Sequence, residues 1–208
     1  MARATSKAAS DAPRDAVALL KQDHRTVEQL FDDFEQADSD QMQVIAERVC
    51  QLLTVHAQVE EEILYPAAKE AFDDEEELSL VNEANVEHQT AKDLIAKIEG
   101  MSPEDESFKA TVKVLSEYIK HHVKEEEGEL FPALKKTELD LKDMGAQLHD
   151  RKMSLMQEMG IEEEEPEPSS RARSTARSGR TSASKARQAR AGSRSKGATR
   201  SGGRAARH

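Results

Sequence analysis

HAQVEEEILYPA, from His56 to Ala67, decides the fold because it occurs twice: HVKEEEGELFPA runs from His122 to Ala133. Aligned without a gap, the copies share His, two Glu, Leu, Pro and Ala, with an aromatic residue before each proline. Each copy has a His followed four residues later by a Glu, His56 with Glu60 and His122 with Glu126. On a helix that spacing puts both side chains on one face, one turn apart. Working outward, DHRTVEQLF (Asp23 to Phe31) is echoed by EHQTAKDLI (Glu87 to Ile95), which makes His24 and His88 equivalent. The chain reads as a duplicated helical hairpin, each copy supplying a His and then a His-x3-Glu.

Apolar residues recur at helical spacing around these positions. The first stripe is Val17, Leu20, Val27, Leu30, Phe31 and Phe34, with His24 in its gap. The second is Val44, Ile45, Val49, Leu52, His56, Val59, Glu60 and Ile63. The third is Val81, Ala84, His88, Ala91, Ile95 and Ile98, and the fourth Phe108, Val112, Leu115, Ile119, His122 and Glu126. Ser10 or Asp11 is expected to cap the first helix, with Pro13 in its first turn. Breaks fall at Ala37 to Asp40, at Pro66 with the acidic run Asp73 to Glu77, at Gly100 and Pro103, and near Pro132. The expected fold is all-α, an up-down-up-down four-helix bundle. From His24 to the first break is about 14 residues and from there to His56 about 17, so the legs differ by roughly one turn. The other hairpin has similar legs about Gly100, and the four His meet at one height.

The expected organisation is a disordered stretch over 1–12, the bundle over 13–136 and an additional amphipathic helix over 137–160. That helix carries Leu141, Met144, Leu148, Leu155 and Met159. Its partner, the bundle or a second copy of the chain, is left open. An acidic linker and a basic tail follow over 161–208, too poor in apolar residues to fold alone. In 208 residues, 37% are hydrophobic and 34% charged, which fits a modest core with appendages. Residues 169–208 hold twelve Lys or Arg and no acid, so the net charge of −11 hides −23 over residues 1–168. The lone Cys50 cannot form an internal disulfide, and no apolar run nears the roughly 20 residues that span a bilayer. A cytoplasmic protein with no membrane partner is the expectation.

Burying an unpaired carboxylate costs several kcal/mol. Four His and two Glu replacing apolar residues at matched positions of four helices therefore need a reason. A metal ion supplies one, neutralising the carboxylates and occupying the imidazole lone pairs. His24, His56, Glu60, His88, His122 and Glu126 are the candidate ligands, and imidazole with carboxylate suits iron, manganese or zinc. Their pseudo-twofold arrangement gives two ions, each with two His, and the two Glu can bridge them. Glu-x-x-His and His-Glu-x-x-His patterns are absent.

At these residues the chain resembles the hemerythrin family, and in particular the bacterial HHE cation-binding domain, over about residues 15–150. The resemblance implies a four-helix bundle with a non-haem di-iron centre that binds dioxygen or related small oxidants. It makes Glu60 and Glu126 bridging ligands, the four His terminal ligands, and two iron ions the cofactor in preference to manganese or zinc. Oxygen carriers of that family have a further His one turn away on the third helix. Here the positions on either side of His88 are Ala84 and Lys92. That departure turns the expectation from oxygen carriage toward sensing, scavenging or iron handling, with oxygen, nitric oxide or a peroxide as the small ligand.

The remaining polar groups have plainer readings. Glu61, Glu62, Glu125, Glu127 and Glu129 form a solvated face, with Glu61 or Glu127 able to hydrogen-bond a ligand His. Tyr65 and Phe131 pack at helix ends, Tyr118 and Cys50 in the core, and His121 faces solvent. The tail can follow nucleic-acid phosphates without sequence preference or lie against the acidic body. It has no aromatic residue for base stacking. A di-iron enzyme of peroxidase or oxidase type and a nucleic-acid-associated protein are the alternative functions. Whether the chain is a monomer or a dimer is open.

Overall fold

The computed structural model describes residues 15–161, which fall in one compact unit. The described chain is helical, with no strand among the described residues. Its elements are α1 (Ala16–Gln36), α2 (Ser39–Val59), a π-helical turn π1 (Glu60–Leu64) and α3 (Tyr65–Ala71). After these come α4 (Glu75–Glu99), α5 (Phe108–Glu125), a second π turn π2 (Glu126–Leu130), α6 (Phe131–Leu134) and α7 (Leu141–Glu158). Helix α1 packs along α2 and α4 along α5, while α2 meets α4 and α1 meets α5.

Local chemistry sets the helix starts. Asp15, not Ser10 or Asp11, caps α1 by accepting from the Ala18 N–H at 2.8 Å. The two expected caps and Pro13 lie outside the described residues. Asp38 and Gln41 form a reciprocal capping box, so α2 begins inside the break expected over Ala37 to Asp40. Part of the acidic run opens α4: Asp74 accepts from Glu76, and Glu75 to Glu77 sit at the positive end of the helix dipole.

Pro66 does not end the second helix, which continues through π1 to Ala71. A proline inside a regular helix removes one hydrogen bond and collides with the carbonyl four residues back. Here a wide turn precedes it, in which the Tyr65 N–H reaches back five residues to the Glu60 carbonyl. The second copy does the same, Phe131 to Glu126, just before Pro132. The two prolines therefore mark the widened turns that begin at the two glutamates.

The core divides into two apolar clusters. One gathers Leu20, Val59, Leu64, Ala84 and Leu134 with Leu148 and Leu155 of α7. The other gathers Val27, Phe31, Leu53, Ala91, Phe108 and Ile119. Between Leu20 and Val27 lies His24, between Leu53 and Val59 His56, between Ala84 and Ala91 His88, and between Ile119 and Leu130 His122. The four His thus form one polar layer separating the clusters.

Two expected core positions are corrected. Val44 is 66% exposed. It lies one residue, a 100° rotation, off the line through Ile45, Val49 and Leu52, and Met42 and Ala46 are buried beside it instead. Met159 is likewise exposed, its place in the core taken by Met156. The question left open for α7 is answered within the chain: it packs on α1, α2 and π1. At Gly145 the contact is close enough that a Cβ would come within 2.7 Å of the Asp15–Ala16 backbone.

Candidate metal centre

Each candidate ligand owes its inward direction to its helix stripe, and all six are buried, Glu60 completely. They meet as two pairs of imidazoles. The Nε2 atoms of His24 and His56 approach to 3.2 Å, as do those of His88 and His122. Glu60 Oε2 lies 3.2 Å from His56 and 3.4 Å from His88, so it stands between the pairs. Glu126 Oε2 does the same from the other side, 3.3 Å from His24 and 3.6 Å from His122. Two overlapping clusters with cation-binding spacing result: His24, His56, Glu60 and Glu126, and Glu60, His88 and His122.

Both oxygens of Glu60 and Oε2 of Glu126 are buried with no hydrogen-bond partner among the described residues. Orphaned carboxylate oxygens are costly in a low-dielectric interior. A pair of cations held by these six groups removes that cost, and a set of imidazole and carboxylate donors suits iron. The residues therefore fit the metal that the motif implies.

Behind each imidazole, on its Nδ1 side, stands an acid. Glu127 lies 3.0 Å from His24, Glu61 3.0 Å from His88, Glu87 2.7 Å from His122 and Asp23 3.7 Å from His56. The three glutamates are within hydrogen-bond distance, and such partners fix the tautomer that leaves Nε2 free for a metal and raise its basicity, whereas Asp23 faces His56 without a hydrogen bond. The sequence reading anticipated Glu61 and Glu127 but missed Asp23 and Glu87. The signal was present: an acid directly precedes His24 and His88 in both copies.

Tyr65 corrects the reading more sharply. Its buried hydroxyl donates to Glu126 Oε1 at 2.9 Å and lies 3.2 Å from His88 Nε2. It thus occupies space beside His88 where no second His is available. The equivalent Phe131 has no hydroxyl and stacks on His24, the rings 6° from parallel. His121, Tyr118 and Cys50 fall as expected. The His121 side chain is 58% exposed, 3.1 Å from Glu125, and Tyr118 packs against the second apolar cluster. Burial pushes the Cys50 thiol up to about 12, which keeps it protonated.

Electrostatics follow from the crowding. Burial opposes charge on His24 and His88, yet the surrounding carboxylates outweigh it and raise both; His88 reaches about 9. Burial likewise opposes charge on Glu126, and His122, His24 and His56 overcome it and hold the carboxyl well below its usual range. His88, by hydrogen bonding, and Lys92 bring Glu61 down to about 2 against the effect of burial. Burial and the neighbouring Glu126 and Glu60 push the Tyr65 hydroxyl far above its ordinary range. A cation entering here displaces protons from imidazole, so its affinity falls toward acid pH.

A cavity of about 20 Å³ opens beside all four His, walled by Val27, Leu53, Ile95 and Ile119. That volume holds about one water-sized group.

Comparison with known proteins agrees with this geometry. The family model for the hemerythrin HHE cation binding domain matches residues 15–134. A hemerythrin HHE cation binding domain-containing protein from Mycobacterium kansasii has the same fold at a TM-score of 0.60 and 18% identity. That likeness covers 69% of this chain and 88% of the other. A DNA nickase from Nostoc sp. is 30% identical over 118 residues, which are 56% of this chain and 32% of the nickase. The chain thus spans about a third of that relative's length. With more than half of its length matched, this chain belongs to the hemerythrin HHE cation-binding domain family.

Proposed function

We propose that this chain is a non-haem di-iron protein that binds or reacts with a small oxidant, oxygen, nitric oxide or peroxide, in sensing, scavenging or iron handling. The observation that carries the proposal is the buried layer in which Glu60 and Glu126, with orphaned oxygens, stand between two imidazole pairs. His24 and His56 would hold one ion and His88 and His122 the other, with both Glu shared. When bound, iron supplies open coordination positions and a change of oxidation state. The chain's own groups position it: Glu127, Glu61 and Glu87 orient their imidazoles, the apolar walls exclude bulk water, and the small cavity suits a ligand of a few atoms. The same donors suit manganese or zinc as well, and membership of the hemerythrin family is what favours iron.

The alternating passage of α1, α2, α4 and the α5–π2 stretch between the two apolar clusters supports an up-down-up-down order for the bundle, with α7 as the extra helix. No helix among the described residues is long and apolar enough to cross a membrane. The single buried thiol is in keeping with a cytoplasmic location.

Metal analysis with the visible spectrum, reduced and then exposed to oxygen, tests the proposal. Two irons per chain with ligand-to-iron absorption support it, and a colourless zinc protein refutes it. Turnover of peroxide faster than free iron would move the reading to an enzyme of peroxidase or oxidase type.

A second reading has two observations of its own. The twelve Lys or Arg of 169–208, outside the described residues, and the likeness to a DNA nickase favour contact with nucleic acid. Salt-sensitive DNA retention lost on deleting 169–208 would support it.

A further inference from the structure

Three of the four acids behind the imidazoles are held by cations from within residues 15–134, or stand by close contact alone. Glu127 receives Lys21 at 2.9 Å and Arg25 at 2.8 Å, both from α1. Glu61 receives Lys92 of α4 at 2.6 Å. Glu87 touches His122 directly at 2.7 Å and faces His121 of α5 at 3.9 Å. Asp23 differs: its Oδ1 receives Lys152 of α7 at 2.5 Å, and its Oδ2 lies 3.7 Å from His56 Nδ1. Oδ2 and that Nδ1 have no other partner among the described residues. Lys152 lies beyond the stretch that the family model matches.

Resting on the di-iron reading, we propose that Lys152 is a positioning residue through which α7 controls one metal position, that of His24 and His56. The ammonium holds Asp23 Oδ1 and so keeps Oδ2 turned toward His56 Nδ1, with His56 Nε2 toward the centre. Without that hold the carboxylate is free to turn away, and His56 loses the acid that faces its Nδ1. The rest of α7 is built to deliver Lys152. Leu148, Leu155 and Met156 lie in the core, Gly145 allows contact with the start of α1, and Arg151 grips Glu62 at 2.6 Å. The His88 and His122 pair has no contact of this kind with α7 among the described residues, so the control acts on one ion.

The test titrates the full-length metal-free chain with ferrous iron, without oxygen, against a colorimetric ferrous chelator. Lys152→Met should weaken one of the two iron sites by about 10- to 100-fold and leave the other within about twofold. Lys152→Arg should restore both. Arg151→Met, which cuts a neighbouring anchor of α7 but not the contact with Asp23, should leave both affinities unchanged. The thermal midpoint of each metal-free variant reports folding, and Lys152→Gln replaces Lys152→Met should the latter fail to fold. Equal loss at both sites, no loss at either, or the same loss in Arg151→Met overturns the proposal alone. A wild-type chain that retains no iron overturns the di-iron reading and this proposal with it.

Discussion

The two halves of the centre began as copies and are no longer equivalent. Around His24 and His56 the aromatic neighbour is Phe131, stacked without a polar atom, and α7 closes the outside through Lys152 and Arg151. Around His88 and His122 the aromatic neighbour is Tyr65, whose hydroxyl reaches both His88 and Glu126. The six inward groups match between the halves, and the differences lie in the residues around them. One half has a hydroxyl beside its imidazoles, the other a covering helix. Two ions held by these halves should therefore differ in affinity and in spectroscopic signature.

The largest effect should come from removing one half at a time. His24→Ala with His56→Ala, and separately His88→Ala with His122→Ala, should each cost one of two irons by metal analysis. If either pair removes both ions or neither, the assignment of two His to each ion is wrong.

Tyr65→Phe makes the aromatic neighbours of the two halves alike. It leaves Glu126 Oε1 buried without its donor and should cost about 1.5–3 kcal/mol, the loss of a hydrogen bond to a charged group, seen in denaturant unfolding of the metal-free chain. The iron spectrum should change with it. An unaltered spectrum and stability would mean that the hydroxyl plays no part in the centre.

Gly145→Ala attacks the other half's covering helix. Its Cβ would meet backbone rather than a side chain that can swing aside, so a loss of about 1–3 kcal/mol is expected in the unfolding curve. A gain in stability would show that α7 sits less closely on α1 than the 2.7 Å approach implies.

Val44→Ala should do least. Val44 and Ala110 stand twelve residues before His56 and His122 and are both exposed, so equalising them should shift stability by no more than about 0.5 kcal/mol. A larger loss in calorimetry would restore Val44 to the buried stripe in which the periodicity had placed it.

Much of the centre was legible because its main spacing is local. His56 with Glu60 and His122 with Glu126 are one helical turn apart, so a single helix brings each pair onto one face whatever surrounds it. The repeat then supplied His24 and His88. Less legible was the π turn at each glutamate: the prolines were seen as stops, although the five-residue reach just before them lets the helix pass. Val44 is apolar but stands about 100° round the helix from Ile45, so its character alone does not bring it into the core.

The sequence by itself determined that the described residues are helical and which six of them converge, since periodicity and i,i+4 spacing follow from the geometry of one helix. Only the tertiary structure decided which acid stands behind which imidazole. Glu127 reaches across to His24, Glu61 to His88, Glu87 to His122, and Lys152 to the Asp23 that faces His56. Each of those partnerships joins side chains from separate elements, so helix packing and not spacing along the chain brings them within hydrogen-bond reach.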